Sequence, residues 1–375
     1  MDNTKMKNAL IIAGAVAACA CIGVGVGCYY GGVAAGELNA PNITSYVSTD
    51  STIYSSTAEV VDAVAKSVVE IRTESVTTSW GQQYIVSGAG SGVIVGHDDG
   101  DKYYVITNNH VVTGASNITV TLRSDESGAT AASYPATLVA ADEAGDIAVV
   151  AIEEQHTLNV AQWGNSDTLR IGDDLIAIGN PLGSLGGTVT KGILSAKGRS
   201  IAVDDYTMTL LQTDTAINPG NSGGGLFNMR GELIGVVNAK TSDEEVEGIC
   251  FAIPGNIAKG IFDDLVRYKV VQGRVDLGIK VAVGTTDGAT STVYVTDASS
   301  AVGEFKQYDK IASINGRDIT TLLSYNDAIA SLTPGDEAEI IVYRGSLVSS
   351  GFGRYTVQFE KSPTAFTAVA RQKSA

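Results

Sequence analysis

The chain has 375 residues, a formal net charge of −16, 43 glycines, four cysteines and only 6% aromatic residues. The acidic balance argues against nucleic acid as a partner and against electrostatic adsorption to an anionic membrane surface. Cys19, Cys21 and Cys28 cluster near the N-terminus, which leaves Cys250 alone in the remainder. The fold must therefore rest on a hydrophobic core rather than on intrachain disulfides.

Lys5 and Lys7 precede an apolar run that carries no charge until Glu37. The run exceeds the ~20 residues that cross a bilayer, and basic residues before it with acidic ones after it place the N-terminus in the cytoplasm. Residues 1–36 are expected to form a cytoplasmic stub and a single transmembrane helix. Gly23, Gly27 and Gly31 recur every fourth residue, either as a face for close helix packing or as part of a weakly hydrophobic span. Two other fates stay open: cleavage after Val33-Ala34-Ala35, and lipidation of Cys19 in Val16-Ala17-Ala18-Cys19, which resembles a lipoprotein box.

Residues 37–57 are rich in Ser, Thr and Asn and read as a linker. Val60, Val61, Val64 and Val68 then fall at helical spacing, which predicts a short helix over Ala58–Val69. From Val69 to Ala252 short β-branched runs are broken by Gly, Asn and Asp, the pattern of antiparallel strands closing into two barrels.

The chemistry concentrates in Gly220-Asn221-Ser222-Gly223-Gly224. A Gly-x-Ser-x-Gly string also marks the nucleophile of α/β-hydrolases, but there the His follows the Ser. Here His97, His110 and His156 all precede Ser222. The order His, Asp, Ser is that of the chymotrypsin-like double β-barrel and predicts a serine endopeptidase. His110, closing the apolar run Tyr103–Val112, is the expected general base, and Ser222 the nucleophile. Asp146, heading Ile147–Ile152, is expected to orient the base; Asp142, four residues earlier, is the alternative. The small residues around Ser222 let the Gly220 and Ser222 N–H groups converge as an oxyanion hole. His97 and His156 lie in polar connections and read as surface residues. Asp98, Asp99 and Asp101 lack the spacing and the late Glu of a calcium loop, so no metal and no cofactor are expected.

Asn218-Pro219-Gly220-Asn221-Ser222-Gly223-Gly224 resembles the nucleophile motif of the HtrA/Deg family of trypsin-fold proteases. Ala89–Ile94, Thr107–Val112, Ile178–Gly183 and Gly248–Pro254 are similar to the same family in the same order. The resemblance implies a trypsin-like protease domain over 58–268 that acts without ATP on misfolded or damaged polypeptides. It further implies a homo-oligomer, a trimer in the family's usual form, and a role in bacterial protein quality control and stress response. Active-site loops would order on oligomerisation or peptide binding. Two positions depart from the family pattern: Gly225 where Pro is common, and Gly145 where Thr or Ser is common. Asn221 stands where digestive enzymes of this fold carry the Asp that pairs with a freed N-terminus, so activation by clipping is not expected. In the trypsin fold the residue six before the nucleophile lines the specificity pocket. Ala216 and Ile217, with Val236, Val237 and Asn238 opposite, predict an uncharged pocket for Val, Ala or Ile. Selectivity should be modest, because one methylene is worth only about 1–3 kcal/mol.

A composition shift near Gln272-Gly273-Arg274 opens a second module, 272–361, which resembles a PDZ domain. Tyr308–Gly316 matches its strand and turn, 325–332 its flanking helix, and 339–343 its closing strand. Leu277, Gly278 and Ile279 stand where such a domain holds the carboxylate of a C-terminal peptide. Asp276 is a poor neighbour for that anion. Residues 362–375 read as a loose tail.

The expected architecture is mostly β: a trypsin-like double antiparallel β-barrel, then a PDZ-like domain, behind an N-terminal transmembrane helix. The expected function is a single-pass, membrane-anchored serine endopeptidase of bacteria, with its catalytic domain outside the cytoplasm. A chaperone-like binder of unfolded chains and a narrow regulatory protease cutting one membrane partner are the alternatives.

Overall fold

The computed structural model describes residues 43–47, 53–79, 82–123, 131–180, 187–203, 205–218, 220–239, 248–285, 291–351 and 354–374. The segment expected to span a membrane lies outside them. Among the described residues no helix is long and apolar enough to cross one.

The first helix, α1 (Thr57–Val64), is shorter than its valine spacing predicts. Ser56 caps it, its hydroxyl accepting the Glu59 N–H at 3.3 Å. Val60 and Val64 are buried, but after one tight turn Val68 already begins a strand. The β-branched run from Val68 favours extended backbone and ends the helix early.

Six strands form the first barrel: β1 (Val68–Ser79), β2 (Gln82–His97), β3 (Lys102–Thr107), β4 (Asn117–Thr121), β5 (Ser133–Asp142) and β6 (Ile147–Glu153). They close in the order β1-β2-β3-β6-β5-β4, with Glu70 opposite Thr121 at the seam. A single helical turn, α2 (Asn109–Val112), follows β3. The second barrel comprises β7 (Gln162–Trp163), β8 (Asp174–Gly179), β9 (Thr188–Val203), β10 (Tyr206–Thr213), β11 (Gly225–Asn228), β12 (Glu232–Asn238) and β13 (Cys250–Pro254). Its order is β11-β8-β9-β10-β13-β12-β7, closed by pairing of β11 with β12.

Each barrel has its own apolar interior, and a third cluster joins them. Helix α3 (Gly255–Tyr268) buries Ala258, Ile261, Phe262, Leu265 and Val266, one face at helical spacing. Phe262 places its ring 6.5 Å from those of Tyr104 in the first barrel and Trp163 in the second. Part of the stretch read as a linker also lies on the barrels: Thr44 bridges His97 and Val47 bridges Trp163.

The C-terminal module begins at β14 (Val275–Asp276) and continues through β15 (Lys280–Thr285), β16 (Ser291–Asp297), β17 (Lys310–Ile314) and β18 (Arg317–Asp318). Asn315 and Gly316 join β17 to β18 with φ of 49° and 73°. Positive φ at both central residues is what a tight hairpin turn requires, and Asn-Gly supplies it. Helix α4 (Leu322–Ala330) carries a capping box between Thr321 and Ser324. Then follow β19 (Glu337–Tyr343), the hairpin β20 (Gly345–Gly351) and β21 (Arg354–Phe359), β22 (Thr364–Val369) and β23 (Arg371–Gln372). The stretch after Glu360 is therefore not a loose tail. β22 pairs with β19 along six residues and buries Ala368, while β23 pairs with β14. The alternation that drives this turns Phe366, Ala368 and Ala370 toward the core. Two of the three are small alanines, which hydropathy patterns underweight.

Candidate active site

His110 stands on the single turn α2, immediately after the buried strand β3. Asp146 opens β6, which pairs with β3 in the same barrel, so two adjacent strands present both side chains. Its backbone takes the left-handed conformation, φ 48°, which Asp tolerates better than most residues. The Asp146 carbonyl accepts Asn109 N–H at 3.1 Å and Asn108 Nδ2–H at 3.0 Å. Its carboxylate accepts the His110 backbone N–H at 3.0 Å on Oδ1 and His110 Nδ1–H at 2.8 Å on Oδ2. A carboxylate facing Nδ1 fixes the tautomer that leaves Nε2 as the acceptor.

Asn238 at the end of β12 donates Nδ2–H to the same Oδ2 at 3.0 Å. The sequence placed Asn238 in the wall of the specificity pocket; it is instead fully buried behind the His110–Asp146 pair. Asp142, the alternative orienter, faces elsewhere. Its Oδ2 accepts Gly145 N–H at 2.8 Å and Arg274 Nη2–H at 3.0 Å.

Ser222 lies in the loop between β10 and β11, flanked by Gly220 and Gly223 with φ of 102° and 80°. Ser91, buried in β2, holds this loop against the first barrel. Its hydroxyl donates to Gly220 O at 2.6 Å, its N–H donates to Ser222 O at 2.8 Å, and its Oγ accepts Asn180 N–H at 2.8 Å. A side chain at Gly223 would collide with Ser91 O and with Thr107 Oγ1, three residues before His110. From the other side Gly223 N–H donates to Val237 O at 3.0 Å and Val237 N–H to Gly224 O at 2.9 Å. Among the described residues no acceptor takes the Gly220 or Ser222 N–H, and no hydrogen bond joins Ser222 Oγ to the His110 ring. The His110–Asp146 half of the candidate constellation is thus formed without a Ser222–His110 bond, a geometry common in catalytic sites without substrate.

Asn221 is 1% exposed, and neither side-chain amide atom has a partner among the described residues. A neutral amide survives there without the counter-charge that a buried Asp would need. Both glycines expected to depart from the family pattern are crowded. A Cβ at Gly145 would come within 2.5 Å of Ile261 Cδ1 and 2.6 Å of Asp142 Oδ2, and one at Gly225 would collide with the Phe227 ring.

Of the expected pocket residues, Ala216 is exposed and Ile217 is buried. Val236 and Val237 are fully buried in the core clusters, and the Val237 backbone holds the nucleophile loop through Gly223 and Gly224. Residues 181–186 and 240–247, which flank this region in sequence, lie outside the described residues. His97 and His156 are away from Ser222. His97 packs against Tyr46 and Tyr103, and His156 pairs with the Glu154 carboxylate, which Tyr134 and this pair hold down at about 2. Among the described residues no group of three or more His, Cys, Asp or Glu is placed to hold a metal.

Ser91 and Asn238 are the side chains of the candidate site whose contacts sequence reasoning missed. A lone hydroxyl in the otherwise apolar Gly90-Ser91-Gly92-Val93-Ile94, and an Asn ending the apolar Leu233–Val237, are the signals that mark them. In the C-terminal module Leu277 is buried, Gly278 has φ 66°, and Ile279 is half-buried. Gly278 and Ile279 border a cavity of about 750 Å³ between β15 and α4, which Asp142, Glu143 and Tyr206 of the barrels also line. Burial, with Glu143, Asp142 and Asp205 nearby, pushes the Tyr206 hydroxyl up to about 12.

A trypsin-like peptidase domain is recognised over residues 90–236 and a PDZ domain over residues 275–350. The chain is 39% identical over 299 residues to the serine protease Do-like HtrB of Bacillus subtilis, covering 72% of this chain and 63% of that protein. It is 37% identical over 276 residues to the periplasmic serine endoprotease DegP of Escherichia coli, covering 70% of this chain and 56% of that one. It thus spans roughly three-fifths of the length of these curated relatives. Among solved structures, the HtrA-type protease AlgW with a tripeptide is 30% identical, with a TM-score of 0.52, covering 85% of this chain and 98% of that one. The same protease with a decapeptide is 29% identical with a TM-score of 0.54, covering 85% and 99%. With the residues of the nucleophile loop and the His–Asp pair in place, these likenesses identify the chain as a member of the HtrA/Deg family of trypsin-like serine proteases.

Proposed function

We propose that the chain is a serine endopeptidase that hydrolyses unfolded polypeptides. The observation that carries this reading is the His110–Asp146 pair at 2.8 Å beside the Ser222 loop strapped to the same barrel. Ser222 Oγ attacks the scissile carbonyl carbon as its proton passes to His110 Nε2. Asp146 holds the ring and stabilises the imidazolium that forms. The Gly220 and Ser222 N–H groups donate to the oxygen that becomes negative. Collapse expels the amine, which takes the proton from His110. Water then repeats the sequence on the acyl-enzyme and releases Ser222.

The family likeness and the run after Lys7 support a membrane-tethered enzyme whose barrels lie outside the bacterial cytoplasm. Ala216, with no carboxylate beside it in sequence, supports cleavage after small apolar residues. Oligomerisation, as a trimer, rests on the family alone.

The test is degradation of an unfolded protein by the chain beside its Ser222→Ala variant. Cleavage by the parent and none by the variant is expected, with fragment ends at Val, Ala or Ile. Equal cleavage by both would remove Ser222 from its role. No cleavage by either, with the substrate kept from aggregating, would replace the protease with a chaperone-like binder.

A further inference from the structure

The carboxylate loop of the C-terminal module already holds a carboxylate. Asp276 Oδ1 accepts the Gly278 N–H at 2.7 Å, and Arg371 Nε–H donates to the same oxygen at 2.8 Å. The placement is enforced by the fold, because β23 pairs Arg371 directly opposite Asp276. Gly278 itself is packed shut: a Cβ there would collide with Ser300 O and come within 2.5 Å of Arg371 Nη2. Val302 N–H donates to Leu277 O at 2.9 Å, which pins the loop from behind.

A peptide ending in a free carboxylate would find the Gly278 donor taken, with a fixed negative charge and the Ser300 carbonyl beside it. It would have to displace Asp276 from the Gly278 N–H and remain next to it. The remainder of the groove keeps what an extended peptide needs. β15 is the edge strand of its sheet, α4 faces it, and Ile279, Val281 and Ile329 offer apolar surface along the cavity. Strand addition supplies backbone affinity without reading a chain end.

We propose that this groove takes an extended peptide segment lacking a terminal carboxylate, an internal stretch of an unfolded chain, with Asp276 serving as the built-in carboxylate. The inference rests on the groove being a peptide site, and it does not depend on the proteolytic chemistry.

The experiment uses the full chain carrying Ser222→Ala, so that nothing is cut. Fluorescent decapeptides tiling a casein are each made as the C-terminal acid and as the C-terminal amide, and binding is read by anisotropy. Ala330→Trp, at an exposed position lining the cavity, fills the groove and identifies the peptides bound there. Those peptides are expected to bind within about twofold as acid and amide. Asp276→Ala should then create a preference for the acid of about tenfold or more, the worth of a charge-assisted hydrogen bond; Asp276→Ser, which keeps a polar side chain, should move in the same direction. A tenfold acid preference in the parent would overturn the proposal, as would an unchanged acid-to-amide ratio in both Asp276 variants. Absence of any binding sensitive to Ala330→Trp would overturn the groove as a peptide site altogether, while leaving casein cleavage by the Ser222 enzyme to stand or fall separately.

Discussion

Asn238 and Asp146 are 92 residues apart in sequence, yet Asn238 Nδ2–H donates to Asp146 Oδ2 at 3.0 Å, the oxygen that also receives His110 Nδ1–H. The second barrel thereby braces the carboxylate that, in the proposed mechanism, orients the base on the first. Asn238→Ala should lower kcat about ten- to hundredfold with little change in KM, because a hydrogen bond to a charged group is worth about 1.5–3 kcal/mol. Asn238→Asp should be worse, since a second carboxylate would face Asp146. Steady-state kinetics on a chromogenic peptide would check both, and a purely raised KM would contradict the assignment.

Ser91 should matter as much without touching substrate. Ser91→Ala removes the hydroxyl from Gly220 O and leaves the buried Asn180 N–H without its acceptor. A stability loss of about 1–3 kcal/mol is expected, together with a fall in kcat as the oxyanion-hole backbone loosens. Urea denaturation and kinetics on the same preparation separate the two effects. Ser91→Thr would keep the hydroxyl but add a methyl in a sealed site, and should recover only part of the activity.

Gly145 is closed in by the ends of the Ile261 and Asp142 side chains. Gly145→Ser would drive its side chain into Ile261 and Asp142, at a cost of about 1–3 kcal/mol for overpacking. The double variant with Ile261→Ala should recover part of that loss. Additive effects of the two substitutions in thermal melts would show that they do not share the space.

Asp264 on α3 gives a pH-dependent prediction. Burial raises its pKa, opposed by the Gln272 N–H that its Oδ2 accepts at 2.9 Å. With the folded value above the unfolded one, its contribution to stability is fully present below the unfolded pKa and is lost as pH rises through the folded pKa. Asp264→Asn keeps an acceptor for Gln272 and removes the charge. It should raise the melting midpoint at pH 7, and the advantage should vanish near about pH 3, below the ordinary carboxylate range. A constant difference across that range would exclude the buried charge as the cause.

The sequence made His110, Asp146 and Ser222 visible because each sits at a switch between an apolar strand and a polar or glycine-rich turn. Asn315-Gly316 was legible for the same local reason, since few other pairs accept two positive φ values. What stayed hidden depends on distant register. Val236 and Val237, expected in a pocket wall, are buried in the core clusters, a placement that depends on the pairing of β12 with β11 and β13. Ser91 looks like one small residue among glycines until Gly220 is brought 129 positions back against it. The β22–β23 ending was missed because its fully buried positions are alanines, and the early end of α1 because Val serves helix spacing and strand propensity alike.

The groups of the proposed mechanism are divided between two halves of one molecule: His110 and Asp146 on the first barrel, Ser222 and the bracing Asn238 on the second. Turnover is therefore a direct gauge of the seam between the barrels. Heat or denaturant that parts them, while each keeps its own apolar interior, should silence the enzyme before circular dichroism registers any loss of strand. Recovery on cooling should then be fast, because only a docking step has to be retraced.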